Sequence, residues 1–88
     1  NPDQRQRKDS RSRGLMSRLP LVSGAEAVKA FNKAGWYPAR QTGSHLIMIK
    51  QGSMVTLSVP MHSEIDRGTL RKLIGLAGLS VEEFLELL

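Results

Sequence analysis

Apolar positions along this chain keep two kinds of spacing. Ala27, Val28, Phe31 and Ala34 recur three or four residues apart, which predicts a first helix over about 24–34. Ser23-Gly24-Ala25-Glu26 in front of it reads as a capping box, and Gly35 behind it as the stop. Then the spacing shortens. Trp36 to Gln41 is aromatic-rich and extended, and Pro38 cannot donate to a ladder, so this strand belongs at an edge or carries a bulge. Gly43-Ser44 predicts a turn. His45-Leu46-Ile47-Met48-Ile49-Lys50 is strand-like and apolar on both faces. Gly52-Ser53 predicts a second tight turn, and in Val55-Thr56-Leu57-Ser58-Val59 apolar and hydroxyl residues alternate, as on a half-buried strand. Pro60 ends the meander and residues 61–66 read as a loop. Asp66 suits an N-cap, Leu70, Leu73, Ile74 and Ala77 form the stripe of a second helix, and Gly78 closes it. Ser80-Val81-Glu82-Glu83 is a second capping box, opening a short third helix with Val81, Phe84, Leu85 and Leu88 on one side.

The predicted order is α-β-β-β-α-α. Three antiparallel strands have one face to cover and the helices are there to cover it, so the expected fold is α+β, a two-layer sandwich with helices on one face of the sheet. The same order is similar to that of the double-stranded-RNA-binding fold.

Charge divides the 88 residues in two. Residues 1–18 carry six basic against two acidic side chains, a polar stretch without periodicity that reads as a disordered basic tail. It suits either a nucleic-acid-binding arm or sequence upstream of a native start at Met16, and no function is rested on it. Residues 19–88, the expected domain, carry seven basic and six acidic side chains, only +1. Glu82, Glu83 and Glu86 sit together in the last seven residues, so the body of the domain is basic and its C-terminal helix acidic. That asymmetry suits a polyanion on one face. With no cysteine, thiolate nucleophiles and cysteine-ligated zinc are excluded. No apolar run approaches the roughly 20 residues of a membrane span, and no signal peptide is visible. These features predict a cytoplasmic protein with no cofactor and no metal.

Two histidines carry the candidate chemistry. An imidazole changes charge near neutrality and can take or give a proton. His45 leaves the Gly-Ser turn at the rim of the sheet, where a backbone phosphate can reach it. On the residues alone the plainer reading is a structural rim histidine bonded to a carbonyl. His62 follows the last strand and reads either as a second acid–base group or, more simply, as the residue that fixes the loop before helix two. Gly68, Thr69, Arg71 and Lys72 open helix two, where free amides and basic side chains suit a phosphate. Arg40, Ser44 and Lys50 flank the second strand and complete the candidate RNA-binding set. Trp36 and Tyr37 suit core and sheet-face positions better than a base-stacking platform.

Six stretches, in order, resemble the HicA toxin family: Val22-Ser23-Gly24; Ala34-Gly35-Trp36; Arg40-Gln41-Thr42-Gly43-Ser44-His45; Val59-Pro60-Met61-His62; Gly68-Thr69-Leu70-Arg71-Lys72-Leu73-Ile74; and Ala77-Gly78-Leu79-Ser80-Val81-Glu82-Glu83-Phe84. The resemblance runs through essentially all of 19–88. It implies a toxin of a toxin–antitoxin pair, an endoribonuclease that cleaves messenger RNA without metal on a fold like the double-stranded-RNA-binding one. It implies His45, the histidine after Gly-Ser, as the single catalytic residue, and a HicB-like antitoxin as the partner that covers the site. Leu46-Ile47-Met48-Ile49 is less basic than the family's usual second strand, which argues against a wide RNA footprint there. Two other readings share the fold: a module that grips duplex RNA without cutting it, and a purely protein-binding domain, which the low charge of 19–88 suits.

Overall fold

The computed structural model describes residues 19–88; the readings of the basic tail and of a start at Met16 lie outside the described residues. Helix α1 spans Gly24–Lys33. Both arms of its capping box are made: the Glu26 amide donates to Ser23 Oγ at 3.1 Å, and the Ser23 amide to Glu26 Oε1 at 2.9 Å. Each arm satisfies an amide that has no partner inside the helix. Ala27, Ala30 and Phe31 form its buried face. The chain then leaves through Gly35, whose φ of 100° suits a residue without Cβ.

Strands β1 (Tyr37–Thr42), β2 (His45–Ile49) and β3 (Leu57–Pro60) pair antiparallel in the order β1-β2-β3. The Pro38 expectation is met in both its forms, because β1 is an edge strand and its register slips between Pro38 and Arg40. The third strand departs from expectation. It starts at Leu57, not Val55: the expected turn is made, with the Ser53 amide donating to the Lys50 carbonyl at 3.0 Å and Gly52 at a φ of 85°, but residues 53–56 continue the connection before the strand begins. Ser53 explains the delay. Its hydroxyl accepts from the Val55 amide at 3.1 Å and donates to the Val55 carbonyl, so the side chain takes the backbone groups a ladder would use.

Alternation along the sheet separates its faces. Met48, Leu57 and Val59 are buried against the helices, with Leu46 packed beside them. His45 and Ile49 of β2, Ser58 of β3 and the whole of β1 are exposed. Tyr37 therefore stands on the open face, whereas Trp36, just before the strand, is core.

Helices α2 (Arg67–Leu76) and α3 (Val81–Leu87) complete the helical layer. Leu70, Leu73 and Ile74 of α2 and Phe84 of α3 are buried, and Phe84 meets Phe31 of α1 at a ring-centroid distance of 5.2 Å. The capping box of Ser80 and Glu83 is again made in both directions. The segment before α1 runs beside the segment before α2. The Ile65 amide donates to the Val22 carbonyl at 2.7 Å, and Arg67 Nε donates to the Leu19 carbonyl at 2.7 Å. Leu19, Val22 and Ile65 thereby join the core, a pairing the hydrophobic pattern did not announce. No described charged side chain is buried. No described helix is long and apolar enough to cross a membrane.

Candidate active site

His45 is the first residue of β2, delivered by the Gly43-Ser44 turn, where Gly43 adopts a φ of 60°. Its partner across the sheet is Pro60, the last residue of β3. Antiparallel pairing sets the start of one strand beside the end of the next, so the chain leaving β3 passes the base of the His45 side chain. Two backbone hydrogen bonds hold that exit. The Met61 amide donates to the Ser44 carbonyl at 2.7 Å, and the His62 carbonyl accepts from the Gly24 amide at 2.9 Å. Gly24 permits the second bond. A Cβ there would stand 2.5 Å from the Pro60 carbonyl oxygen and 2.7 Å from Met61 Cα, both backbone atoms.

The consequence is a pair of imidazoles. The His45 and His62 rings lie 6.4 Å apart between centroids, edge toward face at 66°. Both residues are exposed. The rings are too far apart to hydrogen-bond each other, and neither imidazole bonds to another described side chain or carbonyl. The reading of His45 as a rim histidine bonded to a carbonyl thus finds no such bond among the described residues. The loop at His62 is fixed, but through its carbonyl and not its imidazole.

The candidate RNA-binding residues do not gather into one cluster. Ser44 adjoins His45 and supplies the carbonyl that anchors Met61. Arg40 lies on the exposed edge strand, opposite Ile47 of β2. Lys50 follows the far end of β2, and its ammonium sits over the Trp36 ring at 6.0 Å from the centroid. That cation–π contact, close to Gly35, turns it away from the histidine end of the strand. At the start of α2 the expected free amides are not free. Asp66 Oδ2 accepts from the Gly68 amide at 3.0 Å and from the Thr69 amide at 3.2 Å. A carboxylate thus occupies the position read as a phosphate site, and its charge opposes an anion there. Arg71 and Lys72 remain exposed beside Gly68 around a shallow open depression. No group of three or more described His, Asp or Glu side chains is placed to hold a metal ion.

The nearness of His62 to His45 follows from the His45–Pro60 register and from the two backbone bonds that hold the exit of β3, neither of which a local sequence pattern reports.

Residues 24–79 match the profile of the family described as HicA toxin of bacterial toxin–antitoxin. The chain belongs to the HicA toxin family. The match runs from the first residue of α1 to the residue before the second capping box and includes both histidines. Among solved structures, a chain of a toxin–antitoxin complex from Streptococcus pneumoniae is 34% identical, with a TM-score of 0.60, covering 66% of this chain and 98% of that one. No curated protein matches significantly. As a HicA toxin, the chain is one member of a toxin–antitoxin system, and its three-stranded α+β sandwich is the fold expected of that family.

Proposed function

We propose that this HicA toxin is a metal-independent endoribonuclease that cleaves messenger RNA in the cytoplasm, with His45 as the catalytic histidine. The observation that carries the reading is the His45 imidazole itself: exposed, on the strand end where the family resemblance sets it, with no described hydrogen-bond partner to occupy it. Metal-free cleavage needs a group that exchanges protons near neutral pH, and an imidazole supplies it. The 2′-oxygen attacks the adjacent phosphorus, the bond to the 5′-oxygen breaks, and the products carry a 2′,3′-cyclic phosphate and a 5′-hydroxyl. Arg40 and Ser44 on the histidine side, and Arg71 and Lys72 at the start of α2, are the proposed phosphate contacts. Gly68, Thr69 and Lys50 contribute less, because Asp66 and Trp36 already engage them.

A HicB-like antitoxin is the proposed partner, covering the open face around His45. The complex to which the solved structure belongs supports a partner of that kind. End-group analysis of the cleaved RNA tests the chemistry: cyclic phosphate ends are expected, and 3′-hydroxyl ends would contradict it. If wild type binds duplex RNA and never cuts it, the fold is a reader of RNA and not a nuclease.

A further inference from the structure

Proton transfer at an RNA phosphodiester has two halves. The 2′-hydroxyl gives up a proton as its oxygen bonds to phosphorus, and the 5′-oxygen takes one up as its bond to phosphorus breaks. We propose that His62 is the second proton-transfer group of this site, so that His45 and His62 divide the two halves between them. This rests on the ribonuclease reading above and changes it from a one-histidine to a two-histidine mechanism.

Placement supports this first. With 6.4 Å between ring centroids, the imidazoles are too distant to bond each other and close enough to engage one phosphodiester together. A hydrogen bond from each ring nitrogen reaches about 2.6–3.2 Å, so a phosphodiester lying against both rings, off the line between their centroids, can present a different oxygen to each. Anchoring supports it next. The Met61 amide to the Ser44 carbonyl, and the Gly24 amide to the His62 carbonyl, fix both histidines by backbone bonds made within one residue of each ring. Gly24 lets α1 press onto that exit so closely that a Cβ would collide with the Pro60 and Met61 backbone. Finally, the simpler role for His62 is already filled. Its carbonyl holds the loop, and its imidazole is exposed, with no described hydrogen-bond partner.

The step balances without a co-reactant. One neutral imidazole takes the 2′-hydroxyl proton while the O2′–P bond forms. The other, protonated, gives its proton to the 5′-oxygen while the P–O5′ bond breaks. Solvent then exchanges the two protonation states.

The 88-residue chain, its His45→Ala and His62→Ala variants, and His62→Gln are compared on an RNA oligonucleotide. A second oligonucleotide has sulfur in place of the 5′-bridging oxygen. A thiolate leaves without a proton, so the sulfur substrate needs no general acid. Circular dichroism and thermal melting check each fold. Wild type is expected to show a bell-shaped pH–rate profile, and each alanine variant to lose about 10²–10⁴-fold on ordinary RNA. The bell should lose one limb in each variant, and the sulfur substrate should rescue one alanine variant and not the other. His62→Gln, which keeps a polar side chain that cannot shuttle a proton at neutral pH, should be as slow as His62→Ala.

His62 variants that are folded and within a few-fold of wild type would overturn the proposal. So would large losses in both alanine variants with neither rescued by sulfur, which mark binding and not proton transfer. Failure of the ribonuclease reading itself looks different: wild type would not cut at all, or His45→Ala would cut as wild type does.

Discussion

The contact between α1 and the exit of β3 predicts opposite outcomes for the same substitution at two glycines. In Gly24→Ala the new Cβ would lie 2.5 Å from the Pro60 carbonyl oxygen, where ordinary contact begins at 3.4 Å, so backbone must move by about 0.9 Å. The atoms that must move are tied by the Gly24–His62 and Met61–Ser44 hydrogen bonds. Overpacking of this kind costs about 1–3 kcal/mol, and a lost hydrogen bond adds about 1 kcal/mol. Alanine's better helix propensity offsets at most about 1 kcal/mol, and less at a first helical position. The net is a loss of about 1–3 kcal/mol, or a Tm lower by roughly 4–24 °C in a domain of this size. Gly75 in α2 is exposed, with nothing within 4 Å of an added Cβ. Gly75→Ala should therefore gain about 0.5–1 kcal/mol and melt several degrees higher. Thermal unfolding followed by circular dichroism reads both. A Gly24→Ala protein that melts at or above wild type, with its RNA cleavage unaltered, would refute the close-approach argument.

Other expectations concern the core and the RNA surface. Phe84→Ala removes the ring that packs on Phe31 and should cost about 3–5 kcal/mol in urea denaturation, enough to leave a small domain marginal; a loss under 1 kcal/mol would mean that α3 contributes little to the core. Arg71→Ala with Lys72→Ala, introduced into a His45→Ala background so that RNA stays intact, should flatten the plot of log affinity against log salt by about 1.4 if each side chain meets one phosphate of a single strand. An unchanged slope would remove the start of α2 from the interface. Lys50→Ala should flatten that slope by less than the roughly 0.7 of one full phosphate contact, because its ammonium is held over Trp36.

Much of this architecture is legible in the residues. The two Ser-to-Glu capping boxes, the Asp66 cap and the stripe of Leu70, Leu73 and Ile74 are local signals, and local signals name their own elements. Pro38 foretold an edge or a bulge, and β1 has both, because a missing amide leaves a strand few other options. What escaped was non-local or competitive. Ser53 delays β3 by capturing Val55's backbone groups, although the alternation from Val55 to Val59 suggests a full strand. Asp66 serves α2 as a cap and in doing so uses the amides that made the helix start look like a phosphate site. Leu19 and Val22 enter the core through a bridge to Ile65, more than forty residues away in the chain, which no periodicity reports. The candidate site shows the same division. His45 stood out through its motif, whereas the nearness of His62 depends on the register of β2 against β3 and on a helix pressing on Gly24.

The central claim is that this HicA toxin cuts RNA through His45 without a metal ion. The most direct test is cleavage of a mixed messenger RNA by the 88-residue chain in excess EDTA, beside a His45→Ala variant shown by circular dichroism to be folded. Cutting by wild type and none above background by the variant is the predicted result. Equal cutting by both, or cutting by wild type that EDTA abolishes and added divalent metal restores, would contradict it.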